Sequence, residues 1–177
     1  MFNLNEIKKS QEGLSFEKSL DVTIALQDRQ PEILKVAALV AKGRVVYEDG
    51  LYHLSYDLSY VITLPSSRSL VPVDLTEQLL VDEIFIEASQ VADKKDLVED
   101  HLVLVVEGDA IDLAESVIDN ILLNIPLKVL TEEEAKEEQL PSGNDWVVLT
   151  ESQYQNLKAE EKEANNPFAA LDGLFDD

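Results

Sequence analysis

Cysteine is absent from all 177 residues, which removes any disulfide framework and any thiolate metal site. Cations are the next shortage: 14 Lys and Arg face 36 Asp and Glu, a formal net charge of −22. A surface that tracks a nucleic-acid backbone needs clustered Lys and Arg, so direct backbone binding is disfavoured. The negative excess suits a basic partner and equally suits a chain kept soluble by its charge; charge alone identifies no partner. Long apolar runs are also missing. None approaches the roughly 18 residues that cross a bilayer, and Met1-Phe2-Asn3-Leu4-Asn5-Glu6-Ile7-Lys8-Lys9 lacks the apolar core of a secretion signal. A soluble cytoplasmic protein with no membrane partner is expected.

Side chains that carry chemistry are few. There are two histidines, His53 on the polar side of an alternating segment and His101 after Asp100, and neither has a third partner at a readable spacing, so both read as surface residues. Ser66, Ser67 and Ser69 lie in a turn without the Gly-x-Ser-x-Gly strand–helix context of a hydrolase nucleophile. Glu107, Asp109 and Asp112 lack the glycine and ligand spacing of a calcium loop and read better as helix-capping residues. No phosphate loop or dinucleotide fingerprint is present. The expectation is no enzyme, no cofactor, no metal site and no small-molecule substrate. A hydrolase or metal enzyme built on Glu107, Asp109 or Asp112 is the opposing hypothesis.

What the chain does have is periodicity, with 45% hydrophobic residues to build a core. From Asp109 to Pro126 the pattern predicts one strong helix: Asp109 as N-cap, Asp112 in the first turn, and Pro126 as the stop. Ile111, Ala114, Ile118, Ile121 and Ile125, flanked by Val117 and Leu122, form the buried stripe, and Asp112, Glu115, Ser116, Asp119 and Asn120 the polar side. Leu123 falls on that polar side, where resting against a loop is the frequent outcome. Upstream, Tyr52, Leu54, Tyr56, Leu58, Tyr60, Ile62 and Leu64 alternate without a break, which predicts a strand with one buried and one wet face. Asp49-Gly50 predicts a tight hairpin to the preceding strand, Leu34 to Tyr47, with a bulge near Ala41-Lys42-Gly43. Val71 to Ile86 reads as a further strand, 88–100 as a loop, and His101 to Val106 as a short strand, either buried on both faces or central in a meander. Residues 1–35 predict only one or two short strands, with Gln27-Asp28-Arg29-Gln30-Pro31 as a loop.

The composition shifts after Pro126. Residues 131–177 carry 13 acids and 3 bases, net −10, against 23 and 11, net −12, in the first 130. The tail is thus the more acidic part per residue, and partial flexibility is expected there. A capping box, Thr150-Glu151-Ser152-Gln153, predicts a short helix to about Ala164. The last apolar residues, Phe168, Leu171, Leu174 and Phe175, would share one helical face, which either folds back on the domain or anchors a partner.

These residues carry a resemblance. Asp112-Leu113-x-Glu115 followed by Leu122-Leu123-x-x-Pro126, the Ser66-Ser67-Arg68-Ser69 turn, and the closing Asn166-Pro167-Phe168-Ala169-Ala170-Leu171 together resemble the YceD-like family, described as large ribosomal RNA subunit accumulation proteins. In outline the match covers most of the chain. Many members carry Cys-x-x-Cys where this chain has Ser66 to Ser69, and serine supplies no thiolate for zinc, so hydrogen bonds should hold that turn.

The resulting expectation is an α+β fold: a long-stranded antiparallel β-meander covered on one face by a main helix, in residues 1–130, followed by an acidic, partly flexible tail in 131–177. The resemblance implies a non-enzymatic factor supporting accumulation of large-subunit ribosomal RNA in ribosome assembly. The charge points to contact with a basic ribosomal or assembly protein, and to rRNA only indirectly. The expected partner-binding residues are Arg68, Asp112, Glu115, Asp119, Phe168, Leu171, Leu174 and Phe175. The alternative is direct RNA binding, with Tyr52, Tyr56 and Tyr60 as a stacking platform.

Overall fold

The computed structural model describes residues 1–92, 94–99, 102–136, 142–143, 146–147, 154–155 and 158. His101, Phe168, Leu171, Leu174 and Phe175 lie outside the described residues. The chain divides into two compact units, Met1–Thr131 and Glu132–Asp177. The first runs β1 (Phe2–Asn3), α1 (Leu4–Lys9), β2 (Leu14–Ser19), α2 (Thr23–Arg29), β3 (Lys35–Glu48), β4 (Leu51–Pro65) and β5 (Pro72–Glu87). After a 3₁₀ turn at Ala88–Gln90 follow α3 (Lys95–Glu99), β6 (Leu104–Val106), β7 (Ala110–Ile111) and α4 (Leu113–Leu123).

The architecture is mixed α and β, with a five-stranded sheet in the order β2-β3-β4-β5-β6 and a few helices. Strand β4 organises it. Its period of two puts Tyr52, Leu54, Tyr56, Leu58, Tyr60, Ile62 and Leu64 in the core, while Asp57 stays exposed on the opposite side. Each fully buried leucine or isoleucine of that row contributes ~1.5–3 kcal/mol relative to exposure. The β3–β4 hairpin closes at Asp49 and Gly50, with φ of 50° and 83° between the Glu48↔Leu51 pair. Two positive φ values make a type I′ turn, whose twist matches the strands it joins.

The β3 irregularity lies between Ala37 and Val40, with Ala38 at φ 51°, and not at the expected Ala41-Lys42-Gly43. Those three residues pair regularly with Leu58, Asp57 and Tyr56. Gly43 is there for a different reason: a Cβ on it would lie 2.1 Å from the Ser55 carbonyl oxygen and 2.5 Å from the Tyr56 Cα.

Three expectations need correction. First, the meander is antiparallel only from β2 to β5. β6 pairs parallel to β5 and forms the sheet edge, neither buried on both faces nor central. The crossover also contains α3, where a loop was expected. Second, the N-terminal region holds two short helices as well as its strands, and Gln27 to Arg29 belong to α2 instead of a loop. Third, the main helix starts three residues late. Ala110 and Ile111 pair with Asn3 and Phe2, and Leu4 donates its N–H to the Asp109 carbonyl at 2.9 Å. Asp109 therefore cannot cap; Asp112 does, accepting from the Ala114 N–H at 2.9 Å.

Most of the expected stripe holds: Ile118 and Ile121 are buried, and Ala114 and Ile125 pack against the same cluster. Leu113, Val117, Ile118 and Ile121 join the buried cluster that also holds Tyr52, Leu54, Tyr56 and Leu58. Ser116, expected on the wet side, is buried with them, and Leu123 is 86% exposed instead of resting on a loop. In the second unit, Glu132–Lys136 is helical and Ser142–Gly143 pairs antiparallel with Trp146–Val147. Tyr154, Gln155 and Lys158 are helical too, within the segment where the capping box predicts a helix.

Candidate partner-binding surface

Helix α4 exposes Glu115 and Asp119 one turn apart, because i and i+4 share a helix face. Arg29, the last residue of α2, reaches across to both. Its Nη2 lies 2.5 Å from Glu115 Oε1 and its Nη1 2.7 Å from Asp119 Oδ1. The Glu115 hydrogen bond, above all, raises the guanidinium pKa. Two expected partner-binding acids are thus already engaged by a cation of the same chain. Asp112, half-buried, is occupied with capping.

A second network lies between α4 and β5. Ser116 Oγ donates to Glu83 Oε2 at 2.6 Å, and Asn120 Nδ2 donates to Glu83 Oε1 at 2.7 Å and to the Ser116 carbonyl at 2.9 Å. The Tyr56 hydroxyl sits 2.8 Å from Ser116 Oγ. Since the one hydroxyl hydrogen of Ser116 goes to the carboxylate, Tyr56 is the donor in that contact. Burial, chiefly, pushes the Tyr56 phenol up in pKa, and does the same to Tyr60.

Beside this network opens a groove of about 220 Å³. Its apolar wall includes Phe85, Leu104, Val106 and Ile111, and its acids are Glu83, Glu107, Asp112, Glu115 and Asp119. Among the described residues only Arg29 neutralises any of these five, so the rim keeps a strong negative excess.

The turn around Arg68 stands apart, beyond the C-terminal end of α4. Ser66 is fully buried; its Oγ accepts from the N–H groups of Arg68 and Ser69 at 3.1 and 3.3 Å. Ser67 ties the turn to Val129 through two hydrogen bonds, N–H to carbonyl at 2.8 Å and N–H to Oγ at 3.0 Å. Arg68 itself is exposed. It does not join Asp112: that cap is at the other end of a helix of 11 residues, ~16 Å long.

The tyrosines decide the RNA alternative. Tyr52, Tyr56 and Tyr60 are 0%, 1% and 2% exposed, so no base can stack on them, and the platform reading is wrong. Tyr52 is instead clamped at the sheet's end: its hydroxyl donates to Glu87 Oε1 at 2.6 Å, and Lys8 Nζ meets the same oxygen at 2.6 Å. Burial first, then Glu87, pushes its pKa up to about 12. Of the proposed metal or catalytic acids, Asp112 caps α4 and the backbone of Asp109 joins β7 to α1.

Comparison with known proteins places these elements. A family model described as "Large ribosomal RNA subunit accumulation protein YceD" matches residues 54–175, from within β4 through α4 and the tail. The chain belongs to the YceD family. Membership implies a role in accumulating the RNA of the large ribosomal subunit, hence in ribosome biogenesis; the description names no enzymatic activity. The chain is also similar to "Uncharacterized protein YlbN" of Bacillus subtilis (strain 168), 27% identical over 157 residues, covering 88% of this chain and 87% of that one. No solved structure matches. Among the described residues no helix is long and apolar enough to cross a membrane.

Sequence reasoning missed Arg29, Glu83, Ser116 and Asn120. One signal was present: Glu83 stands in phase with Leu79, Val81 and Phe85, an acid on the inward side of its strand. Arg29 offered none, since its partners are 86 and 90 positions away.

Proposed function

We propose that this YceD-family chain is a non-enzymatic factor that supports accumulation of large-subunit (23S) ribosomal RNA by contacting a basic ribosomal or assembly protein in the cytoplasm. RNA is engaged through that protein. Helix α4 acts as cover for the buried face of the sheet and presents acids outward. The observation that carries the reading is the burial of all three tyrosines of the β4 row in a chain of net charge −22. With the aromatic platform closed and cations scarce, the chemistry left for an rRNA role is that of an acidic protein surface. Arg68, Asp112, Glu115, Asp119, and the terminal Phe168, Leu171, Leu174 and Phe175 are the residues assigned to such contacts.

The test is affinity purification of the full chain at moderate salt, with and without ribonuclease. Recovery of a basic ribosomal or assembly protein that survives ribonuclease supports the reading. Recovery that depends on intact RNA, or unchanged large-subunit RNA after deletion of the gene, refutes it.

A further inference from the structure

Strand β6 ends the sheet, and its exposure is unusual. Leu104 and Val105 are 51% and 40% exposed, and Leu102 just before them 58%. An edge strand presents unpaired backbone donors and acceptors, and proteins ordinarily blunt such edges with a lysine, a proline or a bulge. The opposite edge, β2, is defended in that way: Glu17 pairs with Lys42 of the next strand at 2.9 Å, and Lys18 lies over the Phe2 ring. Leu104-Val105-Val106 carries no such device.

Next to this open edge lies the groove between β6 and α4. Its floor is apolar, and three of its acids, Glu83, Glu107 and Asp112, pair with no cation among the described residues. An apolar floor alone would suit any greasy segment. The unneutralised rim selects a basic one, because an acidic segment would bring like charges together at several points.

We infer that β6 and its acidic groove bind an extended segment of a basic protein, alternating basic and apolar side chains, by strand addition to the sheet. An added strand points successive side chains to opposite faces, so the bases, their aliphatic stems laid over the groove's apolar residues, meet its acids, while the alternate apolar residues lie on the face of Val105. β6 is three residues long, so backbone pairing is brief and charge supplies much of the attraction. The inference rests on the proposed protein-contact function but is tested apart from it.

The experiment titrates the full isotope-labelled chain with a synthetic alternating lysine–valine peptide. A glutamate–valine peptide and a helix-forming lysine–alanine peptide of equal charge serve as controls. Expected are shift changes at Leu104, Val105 and Val106, slowed amide exchange there, and binding that falls as salt rises. Glu107→Lys and Leu104→Lys should each weaken binding about tenfold. Both positions are exposed; should Leu104→Lys fail to fold, Glu107→Lys decides. Equal binding of the lysine–alanine helix overturns the inference, since charge alone would then suffice. So does protection, before any peptide is added, of the β6 amides that point away from β5: if independent of concentration, the segment from Asn166 to Phe175 is the occupant, and if concentration-dependent, a second copy is. In deletion cells, rescue of large-subunit RNA by Glu107→Lys as complete as by the wild type overturns the groove's role and leaves the function standing. Absence of any RNA defect in those cells refutes the function, while the peptide titration still decides the groove.

Discussion

The hydrogen-bonded chain Tyr56–Ser116–Glu83 makes a quantitative prediction. In Ser116→Ala the Tyr56 hydroxyl hydrogen loses its acceptor and Glu83 loses one of the two hydrogen bonds it receives from α4. A buried donor without a partner costs ~1–3 kcal/mol, and a hydrogen bond to a charged group contributes ~1.5–3 kcal/mol. Alanine returns a few tenths through better helix propensity. The half-exposure of Glu83 lets water replace part of its loss, so the expected destabilisation is about 2–4 kcal/mol. Tyr56→Phe is milder at ~1 kcal/mol, because Ser116 keeps its bond to Glu83 and no donor is stranded. The double variant strands nothing either, so it should cost ~1–2 kcal/mol less than the sum of the two singles. Urea unfolding followed by far-ultraviolet circular dichroism reads this directly. With a slope of about 2 kcal/mol/M, Ser116→Ala lowers the midpoint by ~1–2 M. The proton direction assigned to the network is refuted if Tyr56→Phe is the worse of the two singles, or if the singles simply add.

Gly43→Ala should destabilise by ~3 kcal/mol or more, because the added methyl meets the backbone of Ser55 and Tyr56 and not a side chain that can swing away; a thermal melt close to that of wild type would contradict this. Arg29→Met removes the cation shared by Glu115 and Asp119. The melting temperature should move little, while calorimetry should show tighter binding of the lysine–valine peptide; weaker binding would mean that Arg29 helps the site. Stability should also fall with alkali. Burial, chiefly, raises the pKa values of Tyr52 and Tyr60, Tyr52 to about 12. The unfolded chain releases those protons near pH ~10, so it binds fewer protons than the folded chain and stability drops as pH climbs from there through the folded values. Tyr52→Phe should flatten the fall, as read by unfolding midpoints and tyrosinate absorbance.

The features legible from the amino acids were those set by local chemistry. The unbroken alternation from Tyr52 to Leu64 needed no partner to be read, and Asp49-Gly50 satisfies a type I′ turn by itself. The features that were not legible depend on distant contacts. Both Asp109 and Asp112 are acceptable caps; the choice is made by Ile111 pairing with Phe2, more than 100 positions earlier. The parallel direction of β6 follows from a crossover whose short helix has too few turns to show a period. α1 and α2, at 6 and 7 residues, were not legible for the same reason. Ser116 and Asn120 read as surface residues because their partner, Glu83, is on β5, 33 and 37 positions earlier.

That same non-local arrangement bears on why the chain is so acidic. A charge that served only solubility could be spread anywhere, and would best avoid an exposed apolar edge where it has to be desolvated on contact. Of the cations of the first unit, Lys8 holds Glu87, Lys42 holds Glu17, and Arg29 neutralises only the two acids of the α4 outer face. Glu83, Glu107 and Asp112 are left beside Leu104 and Val105, around the groove where an added strand would lie. An edge strand kept apolar invites association, and an acidic rim restricts which chains can accept the invitation. The placement of the negative charge thus adds to what its amount argues, a basic protein segment as the occupant of this edge.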